Sequence, residues 1–234
     1  MNSFHAIQQR AEKRKGGKDA LLSLLPKTIP NENIAAQPDA YFLGEMTRSI
    51  FQCGFVWRVI NSKWTGFCEA FFDFELSQLM RLSDKDWDRY LQDTRIVRHR
   101  QKIQSVRHNL WFVHEVSGEH HGFGQFLADW PKSELTDLFR FLKSKGSRLG
   151  GNTGAYFLQH VGVDSFALTG DVVQCLQMHG LEISDKPGSQ KDFKLIQQTF
   201  NQWHDDTGYS YRDLSMIAAY SVGENRVHAE GINV

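Results

Sequence analysis

From Ala40 onward the apolar residues recur at helical intervals. Phe42, Met46, Ser49, Ile50 and Cys53 follow one another along one face, the spacing of an amphipathic helix. Gly54 interrupts the pattern, and Val56, Ile60, Trp64, Phe67, Phe71 and Phe72 resume it. Ser83 with Asp86 three residues on predicts a helix start, Ser83 being the cap. A helix is expected from Ile96 through Val113, then a flexible turn from Gly118 to Gly124. After Pro131, Ser133 is expected to cap a helix with Leu135, Leu138, Phe139 and Leu142 on one face. Further helices are expected from Asn152, around Asp171, over 190–204 and over 210–221, with a loop at Lys186–Gly188. Three of the five prolines fall in 26–39, which predicts a loop. Residues 1–25 predict a mobile basic arm with a short helix. No run alternates with period two, so the fold class is all-α.

The composition fits this picture and narrows it. A chain of 234 residues, 41% hydrophobic and 12% aromatic, has material for a sizeable core and is not a disordered one. No apolar run approaches the roughly 20 residues that span a bilayer, so no membrane partner is expected. The polar, basic N-terminus has no signal-peptide pattern. The three cysteines, Cys53, Cys68 and Cys175, form no CxxC and are expected to be small core residues of a reducing cytoplasm. An iron–sulfur cluster would need about four.

Net charge is zero, but its distribution is uneven. No acid occurs between Asp93 and Glu115, a window holding Arg95, Arg98, Arg100, Lys102 and Arg107. Acids gather at Asp84, Asp86 and Asp88 instead. One basic face on a compact protein gives this pattern, and so does a solvated helix face. His114, His120 and His121 have no spacing suited to a rigid metal site and no evident carboxylate partner, so no metal is expected.

The stretch from Ser147 to Asp171 carries the chemistry. Gly150 and Gly151 sit between two helical stretches, and glycine lets backbone approach a phosphate closely. A helix beginning at Asn152 turns its unpaired N–H groups toward that hairpin, which suits an anion. Asp171 then heads the next helix. It is either an N-cap or a carboxylate that works on the gripped molecule.

These residues resemble the helix-hairpin-helix DNA glycosylase superfamily. Leu149, Gly150 and Gly151 form a variant of its Leu-x-Gly-x-Gly hairpin, within a motif spanning about 135–161, and Asp171 stands 18 residues after Thr153. That spacing matches the family's interval between a strand-cutting Lys and an essential Asp. Thr153 takes the place of that Lys, so the resemblance implies a glycosylase without lyase activity. Three blocks, QCGFVW at 52–57, WTGFCEAFFDF at 64–74 and RIVRHRQKI at 95–103, are similar in order and interval to those of the type I 3-methyladenine DNA glycosylases. This chain departs from that group in lacking its Cys/His zinc ligands, in having Ser49 where it places a base-binding Glu, and in keeping the superfamily's Asp.

The resemblance implies a monofunctional enzyme that hydrolyses the N-glycosidic bond of alkylated purines, 3-methyladenine foremost; the alternative is a non-catalytic protein that binds damaged or bent DNA. It implies Asp171 as the catalytic residue. It implies a base pocket from Trp57, Gln52, Phe55, Phe51, Tyr41, Glu45 and Ser49, with Glu45 standing in for the missing Glu. DNA would be held by Leu149, Gly150, Gly151, Asn152, Thr153 and Gly154, with Arg98, Arg100 and Lys102. No cofactor is implied beyond a monovalent cation at the hairpin. The partner is double-stranded DNA with damaged bases, bound by a cytoplasmic, nucleoid-associated monomer. The family fold places an active-site cleft between two helical subdomains, here 26–45 with 185–234, and 46–184.

Overall fold

The computed structural model describes residues 4–26 and 31–223. Its α-helices follow one another with short connections: α1 (Phe4–Lys15), α2 (Lys18–Ser23), α3 (Asn31–Ala35), α4 (Asp39–Gln52), α5 (Trp57–Ser62), α6 (Trp64–Ala70), α7 (Leu76–Leu79), α8 (Asp84–Arg89), α9 (Arg100–His120), α10 (Phe123–Asp129), α11 (Leu135–Lys145), α12 (Asn152–His160), α13 (Gly170–Met178), α14 (Gln190–Thr207) and α15 (Tyr211–Tyr220). No strand occurs among the described residues.

Local chemistry explains most boundaries. Ser83 caps α8 by accepting from the Asp86 N–H, and Asp86 answers by accepting from the Ser83 N–H. Helix α9 starts four residues later than the apolar pattern predicts. His99 stays extended and caps it, its ring nitrogen accepting from the Lys102 N–H. The helix then runs on past Val113, because Val116 buries on the same face as Val113, until His121 turns left-handed at φ 60°. The expected turn at 118–124 is therefore confined to His121 and Gly122. The expected loop at 26–39 contains α3, whose Ile34 is buried; residues 27–30 lie outside the described part. Ser133 lies in a 3-10 turn, and α11 begins two residues on.

The described residues divide into two units: a central one, 31–131 with 137–163, and a terminal one, 4–26 with 132–136 and 164–223. In the central unit α9 packs against α4, α7 and α10, and α12 packs against α4. Ile103, Val106, Leu110 and Val113 of α9 are buried, as are Phe42, Met46 and Ile50 of α4. Aromatic rings fill the remainder, among them Trp64 stacked on Phe67 and Phe74.

In the terminal unit α15 packs on α1, α13 and α14. Phe166 stacks on Phe200 at 4.2 Å, and Phe4 leans on Trp203 at 5.0 Å. The N-terminal segment is thus not an arm among the described residues. Phe4, Ile7 and Ala11 form an apolar stripe at helical spacing and are buried. The basic side chains on the same helix serve the C-terminus of α15. Arg10 donates to the Ser221 carbonyl at 3.1 Å, and Arg14 to the carbonyls of Tyr220 at 3.1 Å and Val222 at 3.2 Å. Cations at a helix C-terminus satisfy orphan carbonyls and complement the dipole. The expected partition is corrected accordingly. Residues 31–45 fall in the central unit, and 4–26 and 164–184 in the terminal one.

Candidate nucleic-acid and base site

The hairpin lies in the central unit. Helix α11 ends at Lys145, Arg148 turns left-handed at φ 62°, and Gly151 at φ 60° and ψ −143° leads into α12. Only glycine holds such a conformation without strain. No side chain caps α12 at Gly151, so its first backbone donors carry no side-chain acceptor from the cap position. Gly154, in that first turn, has no room for a side chain: a Cβ would collide with the Leu149 carbonyl. Leu149 itself is 1% exposed and serves as the hairpin's core anchor, not as a DNA contact. Gly150, Asn152 and Thr153 are half-buried, and Gly151 is exposed.

The expected base-pocket residues divide into three groups. Phe51 is fully buried against Phe67 at 4.8 Å, which makes it core. Tyr41 and Glu45 stand one turn apart on α4, each with its proton held more tightly than usual, chiefly through burial. The charge on Glu45 adds to the effect at Tyr41, and Arg48 opposes it at both. Arg48 pairs with Glu45 at 3.1 Å and lies over the Trp64 ring at 4.2 Å. Ser49, at the position where the resemblance places a base-binding Glu, is buried with its hydroxyl 3.4 Å from His160 Nδ1 of α12. Gln52 donates to Asn61 at 3.0 Å, while its own Oε1 is buried without a hydrogen-bond partner. Phe55 and Trp57 form the third group. They flank Val56 on the exposed segment beyond α4, with Trp57 52% exposed.

The basic string is mostly consumed within the unit. Arg95 pairs with Asp93 at 2.7 Å, Arg107 with Asp84 at 2.7 Å and Arg100 with Asp88 at 3.8 Å. Lys102 is 4% exposed, so it is no phosphate contact. Its ammonium donates to the carbonyls of Phe51 at 3.2 Å and Cys53 at 2.5 Å, closing the C-terminus of α4, and lies 4.2 Å from the Phe55 ring centre. Burial also lowers its pKa. Arg98 is exposed and makes no ion pair among the described residues.

Asp171 lies in the terminal unit, in the first turn of α13. Thr169 caps that helix by accepting from the Val172 N–H at 3.3 Å, so Asp171 is not the cap. The backbone of Gly223 comes so near the Asp171 carboxylate that a Cβ there would collide with Oδ1. Arg14 donates to the carbonyls of Val222 and Gly223 in the same turn.

The expectation of three core cysteines holds only for Cys175. Cys175 is buried, but Cys68 is half-buried and Cys53 is exposed, because it follows the end of α4. Among the described residues no three His, Cys, Asp or Glu side chains gather as a metal site, and no helix is long and apolar enough to cross a membrane. Arg48 and Asn109 escaped the sequence reading, and Trp64 entered it only as part of the apolar pattern and its block. For Asn109 a signal existed: a lone amide in the apolar row of Val106, Leu110 and Val113.

Comparison with known proteins follows the same lines. A family model, methyladenine glycosylase, matches residues 37–140. No curated protein matches the chain. Among solved structures, a 3-methyladenine DNA glycosylase I in complex with 3-methyladenine aligns at 21% identity over 66% of this chain and 88% of its own, with a TM-score of 0.48. The enzyme of that name from Staphylococcus aureus aligns at 21% identity over 70% and 95%, with a TM-score of 0.47. The 8-oxoguanine glycosylase/lyase of Methanocaldococcus jannaschii, in complex with DNA containing 8-oxoguanine, aligns over 92% of this chain and 96% of its own at 11% identity and a TM-score of 0.53. Residues 37–140 thus match the methyladenine glycosylase model, and the chain shares its fold with the 8-oxoguanine glycosylase/lyase.

Proposed function

We propose that the protein is a monofunctional DNA glycosylase that hydrolyses the N-glycosidic bond of alkylated purines in duplex DNA, with 3-methyladenine as its main substrate. The carrying observation is a Gly-fitted hairpin opening into a helix with no side-chain cap, in a chain whose residues 37–140 match the methyladenine glycosylases. The family match favours catalysis over binding alone.

The chemistry suits the residues. A base stacked in a duplex hides its glycosidic bond, so the nucleotide must be extruded. Hairpin N–H groups hold the phosphates while aromatic faces receive the base. A 3-methylated adenine is cationic, and an aromatic face attracts it by about 1–2 kcal/mol once water is excluded. Such a base leaves readily, so little general-acid help is needed. What remains is the positive charge that develops on the sugar, which a carboxylate stabilises while it orients water. Asp171 takes this role by its place 18 residues after Thr153, in the first turn of α13. Thr153 offers no amine for a Schiff base, so the abasic strand stays intact.

Release of free bases from methylated duplex DNA, under single-turnover conditions, tests the proposal. The wild type is expected to release 3-methyladenine without cutting the strand. Asp171→Asn is expected to slow release by about two or more orders of magnitude. Release undiminished in Asp171→Asn would remove Asp171 from the mechanism. DNA binding with no release by the wild type would leave a binding protein.

A further inference from the structure

The hairpin is held from outside its own two helices. Asn109 lies in mid-α9, in a row otherwise made of Val106, Leu110 and Val113, and is 1% exposed. Its amide engages both backbone groups of one hairpin residue. Oδ1 accepts from the Ser147 N–H at 2.7 Å, and Nδ2 donates to the Ser147 carbonyl at 3.1 Å. This pairing fixes the amide's orientation, because the flipped amide would face donor with donor and acceptor with acceptor. Two more α9 residues reach the same turn. His108 Nε2 lies 2.9 Å from the Lys145 carbonyl, and Gln101 accepts from Arg148 Nη1 at 3.1 Å.

A polar amide in an apolar helix row is unfavourable unless its donor and acceptor are both satisfied. Ser147 satisfies both. Next to it Arg148 adopts a left-handed backbone, which a non-glycine residue keeps only where its surroundings over-determine it. Asn109 and Gln101 supply that determination on either side of the turn. We infer that Asn109 is a positioning residue for the DNA-gripping hairpin, setting the angle at which Gly150, Gly151 and the first N–H groups of α12 meet a phosphate. It touches no nucleic acid itself. The inference rests on the hairpin's role in the proposed function.

The test uses the full chain, with Asn109→Ala and Asn109→Asp beside wild type. Binding is read by anisotropy of a labelled duplex carrying a tetrahydrofuran abasic analogue. Base release is read in single turnovers at saturating DNA. Asn109→Ala is expected to weaken binding by about tenfold through lost preorganisation, with release at saturation within about twofold of wild type. Asn109→Asp keeps the acceptor for the Ser147 N–H but sets a buried carboxylate oxygen against the Ser147 carbonyl, so its affinity is expected at or below that of Asn109→Ala. A folded Asn109→Ala that binds as tightly as wild type overturns the inference, as does a variant that loses rate at saturation and keeps affinity. Should Asn109→Ala fail to fold, Asn109→Asp decides, and wild-type affinity there overturns the clamp. Wild type that fails to bind the duplex overturns the DNA reading itself, and the clamp with it.

Discussion

Two stretches of the central unit stand in opposite electrostatic positions. Residues 95–107 hold five cationic side chains, whereas the hairpin from 146 to 151 holds only Arg148. In the first stretch four of the five cations are engaged by the protein, three by carboxylates and Lys102 by carbonyls. The hairpin has little charge, but its turn is clamped at Ser147 and opens into a helix without a side-chain cap. Anion capture follows from donors that are held in place and still unspent, and a count of basic residues measures neither property.

Substitutions in the two stretches are expected to act on different properties. Lys102→Ala should have the largest effect, and it should be on stability. It strands the C-terminal carbonyls of α4 in a buried place, at a cost of about 2–3 kcal/mol, to be read from urea unfolding. A loss of DNA affinity with unchanged stability would instead return Lys102 to the phosphate surface. Gly154→Ala comes next, at the hairpin. Pushing the Leu149 carbonyl away should weaken duplex binding by about tenfold, since a small misplacement of fixed donors costs that much, while circular dichroism stays that of a folded helical protein. The smallest effects belong to the string's surface. Arg98→Ala should weaken binding a few-fold and reduce the salt slope by about one. Arg100→Ala and Arg107→Ala should leave binding within about twofold, as exposed ion pairs contribute little. Equal losses from all three arginines would show the string to be a DNA face after all.

Much of the helical plan was legible locally. The Gly-Gly break placed the start of α12 at Asn152, and Ser83 with Asp86 announced α8, because caps act within one turn. Long-range packing was not legible. Phe4, Ile7 and Ala11 have core spacing, yet their basic neighbours suggested an arm; the partners that bury and use them lie some 200 residues away. The candidate site was visible in its residue types more than in their roles. Phe51 and Phe55 sit four residues apart with like side chains, but helix α4 ends between them, so one is core and the other half-exposed. Asp171 was open to two readings because the competing cap, Thr169, differs from it by two positions and no sequence rule ranks them.

The burial of Lys102 has a consequence for chemical modification. Its ammonium, seated between two carbonyls and beside a ring, is out of reach of amine-acylating reagents. Lys143 and Lys145, at the end of α11 beside the hairpin, are exposed. Brief acylation of the folded protein would thus neutralise the lysines nearest the hairpin and leave the one that holds α4 untouched, separating the two uses of lysine in this chain without changing a codon.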